Sequence, residues 1–317
     1  MIEHRRDLTA WVMHFVHKRN TLNDPAYELN EGSDTPLFPF TTDREKNRRF
    51  EFWNIVEDSH TLAADEDAFN VLLKIIEDGH IRSGWSFRSF KPTIYGPRSA
   101  CCLTEMPLYA LLEYAKIRSP DDVGTYAICL LRDELFAAGG RPVIYGLSGS
   151  HLELPRVKRG IPMIDAWPRM LDPACGISEL EQYRYVSMNL GGKRRIDWGH
   201  EREWRWADVS DACSCPGLPI WLADEPYHFS RVALIVSTDQ EADKVLNKLK
   251  ELHDAGAHNF GYGYNRETLA ATEVISLERA LSETKKVQLR TCDLRTFLHL
   301  KFGILTDRRC QKHSRHQ

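Results

Sequence analysis

The ten residues "DWGHEREWRW" (197–206) place charged side chains and tryptophans in alternation. In a β-strand, successive side chains point to opposite faces of the sheet. A strand over 201–206 would divide six side chains between two faces, with Glu201, Glu203 and Arg205 on one and Arg202, Trp204 and Trp206 on the other. The tryptophans would then anchor the strand in the core, and the carboxylates would line the opposite face.

The residues alone allow several interpretations of this carboxylate face. Glu201, Glu203 and Arg205 could form an exposed ion-pair ladder, which would contribute little to stability. Two like charges on one face repel each other, and such an arrangement is more useful in a functional site than on a surface. A zinc-protease motif H-E-x-x-H is excluded, because the position of its second histidine is Trp204.

The rest of the chain predicts a mixture of strands and helices. Strands are expected over 11–17, 99–106, 124–132, 141–146, 231–237 and 272–277, and helices over 65–79, 107–116, 293–305 and from 238 onward. Asp65 is the expected cap of the first helix and Gly79 its stop. Thr238 and Glu241 form a capping box. The segment from about 147 to 195 has too weak a pattern to predict any element.

Composition narrows the class of protein. The chain has 317 residues, 42% of them hydrophobic, and a formal net charge of −3, which gives no overall attraction to nucleic acid. No apolar run approaches the roughly 20 residues of a membrane span, and the amino-terminal segment lacks a signal-peptide cleavage site. Eight cysteines without any C-x-x-C pair favour reduced thiols and a cytoplasmic location.

We therefore expect a single α+β domain over 1–317, with a strand-rich core of mixed or antiparallel sheets and peripheral helices. A polar, proline-containing stretch predicts an insertion at about 21–60. A strand and a helix from about 230 predict a carboxy-terminal extension.

Five motifs, in this order, resemble bacterial abortive-infection (phage-resistance) proteins of the AbiGi type. They are "VMHFVH" (12–17), "IIEDGHI" (75–81), "CCLTEMPL" (101–108), "RPVIYG" (141–146) and "DWGHEREWR" (197–205). More distantly, the series is similar to the ADP-ribosyltransferase superfamily, including DarT-type nucleic-acid modifiers and RNA 2′-phosphotransferases. In that superfamily an early strand carries a His or Arg, a helix ending in Gly follows, and a later strand carries the catalytic Glu, often as Glu-x-Glu.

The resemblance implies an ADP-ribosyltransferase-like fold and NAD as the substrate, with no metal. His14 would contact the ribose or adenosine part of NAD, Glu203 would be the catalytic glutamate, and Glu201 would be the accessory residue. The middle strand of the superfamily usually offers Tyr or Ser-Thr-Ser to the nicotinamide, whereas this chain has Thr104 in "CCLTEM" and Tyr95 upstream. Thr104, Tyr95 and Arg98 are the remaining candidates for binding NAD.

Some of these residues also have a structural interpretation. His14 could be a satisfied histidine on a strand. Thr104 could cap the helix that follows, with Glu105 favouring the helix amino terminus through its dipole. Basic and aromatic residues alternate between Arg82 and Arg98, where they could cover NAD or form an ordinary surface loop.

Three functions follow from these candidates. The first is an antiphage-defence effector that transfers ADP-ribose from NAD to a macromolecule, either protein or nucleic acid, under the control of a cognate antitoxin or another defence partner. The second is a non-catalytic protein of the same fold that binds a partner as an antitoxin or sensor. The third is a metal-dependent nuclease that uses Asp197, His200, Glu201 and Glu203.

Overall fold

The computed structural model describes residues 9–18, 66–84, 86–88, 91–106, 125–147, 169–191, 195–215, 217–257 and 262–279. The helices are α1 (Ala68–Asp78), α2 (Arg132–Ala137), α3 (Asp239–Ala255) and α4 (Arg266–Ala271). The strands are β1 (Trp11–Val16), β2 (His80–Arg82), β3 (Phe87–Arg88), β4 (Lys91–Pro92), β5 (Cys101–Thr104), β6 (Tyr126–Leu131), β7 (Arg141–Pro142), β8 (Ile144–Leu147), β9 (Tyr185–Met188), β10 (Glu203–Trp206), β11 (Gly217–Pro219), β12 (Val232–Val236) and β13 (Glu273–Ser276).

A seven-stranded sheet organises these elements in the order β13-β12-β6-β1-β5-β10-β7. Adjacent strands in this sheet are antiparallel, except for the parallel pair β12 and β13. The expected α+β class with a mixed sheet is thus confirmed. The strand at the start of the predicted extension, β12, pairs directly with β6 and is integral to the main sheet. The predicted insertion at about 21–60 lies outside the described residues.

The main core lies on one face of this sheet. Val12 of β1, Leu103 of β5 and Trp206 of β10 contribute to it. Helix α1 packs there against β1 and β6, and helix α3 packs against β12 and β13. Burial of these apolar side chains is the main favourable contribution to the fold. The opposite face carries a second apolar cluster, which includes Met13 and Cys129.

Local hydrogen bonds set the ends of the helices. Helix α1 is capped by Asp67, which accepts a 2.9 Å hydrogen bond from Asn70 N, so the prediction of Asp65 as the cap was wrong by two residues. Gly79 ends the helix at φ 75°, as expected of a left-handed stop. The capping box of helix α3 is confirmed, because Thr238 and Glu241 exchange both of its hydrogen bonds.

Other predictions from the sequence had mixed outcomes. The strand expected over 141–146 is interrupted at Val143 and divides into β7 and β8. Where the structure describes the unplaced segment 147–195, it contains β9 and the 3₁₀ turns Pro173–Cys175 and Glu179–Arg184. The helices expected over 107–116 and 293–305 lie outside the described residues. Among the helices described, none combines the length and the apolar composition needed to cross a membrane.

Candidate functional site

The strand of the decapeptide begins at Glu203 and not at Glu201. Residues Gly199–Glu201 form a 3₁₀ turn, and Arg202 then adopts a left-handed backbone with φ 45°. This break removes Glu201 from the alternation of β10, so its predicted place on the strand was wrong. Within the strand the alternation holds, since Trp204 and Trp206 lie in the main core and Glu203 and Arg205 point to the other face.

Glu203 and Arg205 form a buried ion pair. Arg205 Nε donates to Glu203 Oε1 at 2.7 Å, and the two side chains are only 6% and 12% exposed. The exposed ion-pair ladder considered from the sequence is therefore not what forms. The pair is shielded from solvent, and screening weakens such interactions much less than it weakens surface pairs.

The guanidinium of Arg205 is also fixed to the backbone. Its Nη1 donates to the carbonyl of Tyr183 at 2.6 Å and to that of Tyr185 at 3.2 Å. These carbonyls belong to the second 3₁₀ turn and to the start of β9, in the segment whose pattern predicted nothing. Cys102 lies opposite Arg205 in the β5–β10 ladder, and burial raises the pKa of its thiol well above the ordinary value.

Tyr145 connects the turn that carries Glu201 to the start of β10. Its hydroxyl accepts from Glu203 N at 3.3 Å and donates to the carbonyl of Trp198 at 3.1 Å. Partial burial raises the pKa of Tyr145, and the nearby carboxylates of Glu203 and Glu201 contribute to the rise. Both carboxylates thus lie close enough to Tyr145 to act on its hydroxyl, although Glu201 does not belong to the strand.

His14 lies on β1, two strands away from β10. Its Nδ1 is 2.9 Å from the carbonyl of Cys102, and because a carbonyl can only accept, Nδ1 carries the proton. Burial lowers the pKa of His14, although the hydrogen bond to Cys102 opposes the shift, so the ring is held neutral with Nε2 as an acceptor.

The strand register relates His14 to the carboxylates. Met13 pairs with Thr104, and Thr104 pairs with Glu203, so these three side chains share a face of the sheet. His14, the next residue along β1, starts on the opposite face. It is linked to the Glu203 side of the sheet through the backbone of Cys102 and not through a direct contact that the structure records.

The side chains of Thr104 and Glu105 both form hydrogen bonds with other residues of this chain. Thr104 Oγ1 donates to the carbonyl of Glu201 and accepts from Met106 N at 3.1 Å, which is the bond expected of a cap. Glu105 accepts from Arg132 Nη1 at 2.8 Å and from Trp204 Nε1 at 3.0 Å. Glu105 is thus held by a cation and an indole, and the helix expected to follow it lies outside the described residues.

Tyr95 and Arg98 lie on the loop before β5. Tyr95 is 1% exposed, with Tyr185 packed edge-on against its ring at 5.2 Å and the guanidinium of Arg169 4.2 Å from its centre. Arg98 Nη1 donates to the carbonyl of Asp208 at 2.6 Å. In this conformation Tyr95 is a core residue that offers no open face for a nicotinamide to stack on.

Sequence reasoning missed two members of this site. It treated Arg205 only as a partner in a surface ladder, and it assigned Tyr145 no role. The spacing of Glu203 and Arg205 at i and i+2 was a usable signal of pairing. Nothing local to Tyr145 indicated its contact, because its partners lie more than fifty residues further along the chain.

We searched the part of the chain that the structure describes for side chains that could bind a metal ion. No three histidine, cysteine, aspartate or glutamate side chains there form a group that could hold a metal ion. The four residues of the nuclease hypothesis all belong to that part. They are Asp197, His200, Glu201 and Glu203.

Comparison of the chain with models of protein families, with curated proteins and with solved structures finds no match.

Proposed function

We propose that this protein transfers ADP-ribose from NAD to a macromolecular acceptor, as an effector of bacterial antiphage defence. One observation carries the proposal: β1 with His14, β5 with Thr104 and β10 with Glu203 are consecutive neighbours in the sheet. The resemblance needs these three motifs to meet, although long stretches of chain separate them. The strand order supports that requirement for the three strands, and the side chains of Thr104 and Glu203 share a face, whereas His14 starts on the opposite face.

The proposed reaction breaks the bond between C1′ of the ribose and the nicotinamide nitrogen. The electron pair of this bond leaves with nicotinamide, and a nucleophilic oxygen or nitrogen of the acceptor bonds to C1′ and loses its proton. Positive charge develops on the sugar in the transition state, as in glycoside hydrolysis. A fixed carboxylate at that position orients the 2′-hydroxyl and stabilises the charge. We assign this role to Glu203.

The remaining candidates have supporting roles in this proposal. Glu201, on the turn that Tyr145 ties to β10, is the accessory carboxylate. His14 is neutral with an acceptor at Nε2, but it starts on the sheet face opposite to Glu203, which counts against its predicted contact with the same ribose. Arg98 would bind the pyrophosphate of NAD. Tyr95 has no part in binding unless its packing against Tyr185 opens.

A second candidate function is a non-catalytic antitoxin or sensor of the same fold that binds a partner. The burial of Tyr95 favours it, because this aromatic candidate presents no exposed ring face to a nicotinamide in the part of the chain that the structure describes. The pairing of Glu203 with a buried arginine also favours it, because such a pair can serve structure alone.

Nicotinamide release from NAD separates the two functions. We expect release by the wild-type protein, and a loss on the order of 10²-fold or more in Glu203→Gln, as for removal of a group that stabilises transition-state charge. Glu251→Gln, which alters an exposed carboxylate on helix α3, is the matched control and should keep full activity. Incubation of labelled NAD with cell extract then shows which fraction retains the label.

Equal release by Glu203→Gln and wild type would contradict the catalytic role. The absence of any release by the wild type would favour the partner-binding function.

A further inference from the structure

Arg205 is an unusual residue for a strand that also carries a candidate catalytic group. It is 5% exposed, so its charge is almost fully removed from water. Burial of an unpaired charge is costly, and a buried cation is therefore paired and hydrogen-bonded. Arg205 meets this requirement with one carboxylate, that of Glu203, and two backbone carbonyls.

The two carbonyls make Arg205 a rigid support. Tyr183 and Tyr185 are themselves buried, at the junction between a 3₁₀ turn and β9. A guanidinium that donates to both cannot follow movements of the Glu203 side chain. Arg205 is thus fixed by a neighbouring element of the fold, and it fixes Glu203 in turn.

The pair uses only one of the two oxygens of Glu203. Arg205 Nε bonds to Oε1, and the carboxylate retains some exposure. Cys102 across the ladder stays a neutral thiol because burial raises its pKa, and as a neutral thiol it interacts with the Glu203 carboxylate through a side-chain hydrogen bond and does not act as a second anion beside the guanidinium. Glu203 can meet a ligand through the part of its carboxylate that stays exposed.

We infer that Arg205 is the positioning residue of Glu203: it anchors Oε1 to the backbone of Tyr183 and Tyr185 and so fixes the orientation of the carboxylate toward the substrate. This inference rests on the proposed function. Lysine cannot replace Arg205 in this role, because the planar guanidinium donates in several fixed directions and an ammonium is a single point charge. A displacement of a reacting group by about 1 Å can cost on the order of 10²-fold in rate.

A double-mutant cycle on nicotinamide release tests the inference, with wild type, Arg205→Lys, Glu203→Gln and the double variant. Arg205→Lys should lower kcat at least about tenfold with the KM for NAD unchanged, since positioning acts on the reacting geometry. It should have no further effect in the Glu203→Gln background, because Arg205 acts only through Glu203. Arg132→Lys, in a partly buried pair with Glu105, is the control and should keep full activity.

Equal losses from Arg205→Lys in both backgrounds, or no loss in either, would overturn the inference.

A second measurement does not depend on activity or on an arginine variant that folds. In ¹⁵N-labelled protein, the Nε–H resonance of Arg205 should be protected from exchange with water in the wild type. It should shift and exchange faster in Glu203→Gln, and remain unchanged in Glu201→Gln. An unchanged resonance in Glu203→Gln would refute the anchoring of Glu203 by Arg205, even if the protein cleaves NAD. The expected resonance changes in a protein that cleaves no NAD would support this anchoring and contradict the proposed function.

Discussion

His80 is a histidine that the fold keeps neutral, and the loss of stability on acidification should reveal it. The residue opens β2 directly after the stop of helix α1 and is 1% exposed. Its Nδ1 donates to the carbonyl of Asp78 at 2.9 Å, and Nε2 has no hydrogen-bond partner among the described residues. Burial lowers the pKa of His80 to about 4 from an ordinary value of 6.5.

Charged neighbours modify this shift but do not reverse it. The carboxylate of Asp78 raises the pKa of His80, whereas the cations Arg82 and Lys74 lower it. Lys74 and Asp78 form an ion pair of their own on helix α1, which reduces the field of each at the imidazole. Desolvation of the ring therefore dominates.

The sign of the pH dependence follows from this shift. Between pH 6.5 and about 4 the unfolded chain binds a proton at His80 that the folded protein does not, so stability is complete above pH 6.5 and is lost as the pH falls. The full difference corresponds to about 3 to 4 kcal/mol at about 1.4 kcal/mol per pKa unit. Acidification from pH 7 to pH 5 should lower the free energy of unfolding by about 2 kcal/mol of this difference.

Urea unfolding at pH 7, 6 and 5 measures this contribution when wild type is compared with His80→Asn. The asparagine amide can still donate to Asp78, but it does not titrate. The variant should be less stable at pH 7 and should lose about 2 kcal/mol less than wild type on acidification to pH 5. His14, whose pKa burial also lowers, contributes equally to both proteins and cancels. His228→Asn, at an exposed position, should keep the wild-type dependence.

Identical pH dependences for wild type and His80→Asn would show that the His80 ring is not held neutral, and would refute the reasoning.

Two further predictions concern local backbone features. Thr238→Ala should cost about 1 kcal/mol in urea unfolding, because the capping box with Glu241 loses its side-chain acceptor; an unchanged midpoint would show that the box contributes nothing. Gly217→Ala should lower Tm far more than Gly176→Ala. A Cβ at 217 would lie 2.0 Å from the carbonyl oxygen of Ile81. A Cβ at 176 would meet no atom within 4 Å, so that substitution costs only the strain of a left-handed backbone, about 1 kcal/mol. Equal losses in Tm would contradict the steric argument.

Alternation and end signals predicted much of the fold. The strands β1, β6, β12 and β13 lie within the ranges that their apolar patterns indicate, because each is buried in the sheet. Gly79 and the Thr238 capping box marked the helix ends correctly, because these signals depend only on nearby backbone. Asp65 failed as a cap because Asp67 offers the same carboxylate closer to the first turn.

The break before β10 could not be predicted from the decapeptide. Alternating charges and tryptophans fit a longer strand equally well, and Arg202 is an uncommon residue for a left-handed backbone. The carbonyl of Glu201 is held by Thr104, about a hundred residues earlier in the chain. Such a distant contact leaves no trace in a local pattern.

The burial of Arg205 was hidden for the same reason. Its backbone acceptors, Tyr183 and Tyr185, belong to a segment without helical or strand periodicity. From the sequence alone, Arg205, which lies between two tryptophans, was interpreted as an exposed ion-pair partner of Glu203. The anchoring of the candidate carboxylate therefore depends on a 3₁₀ turn and the start of β9, which only the folded structure places beside it.

The brevity of β7 has a consequence for any molecule that approaches Glu203. This two-residue strand borders the sheet beside β10, and it ends in Pro142, which has no amide hydrogen to offer. Short borders and prolines are devices that keep foreign chains from joining a sheet. Among the described strands, this border thus gives an approaching polypeptide a poor backbone template beside β10, which favours recognition of such a polypeptide through its side chains.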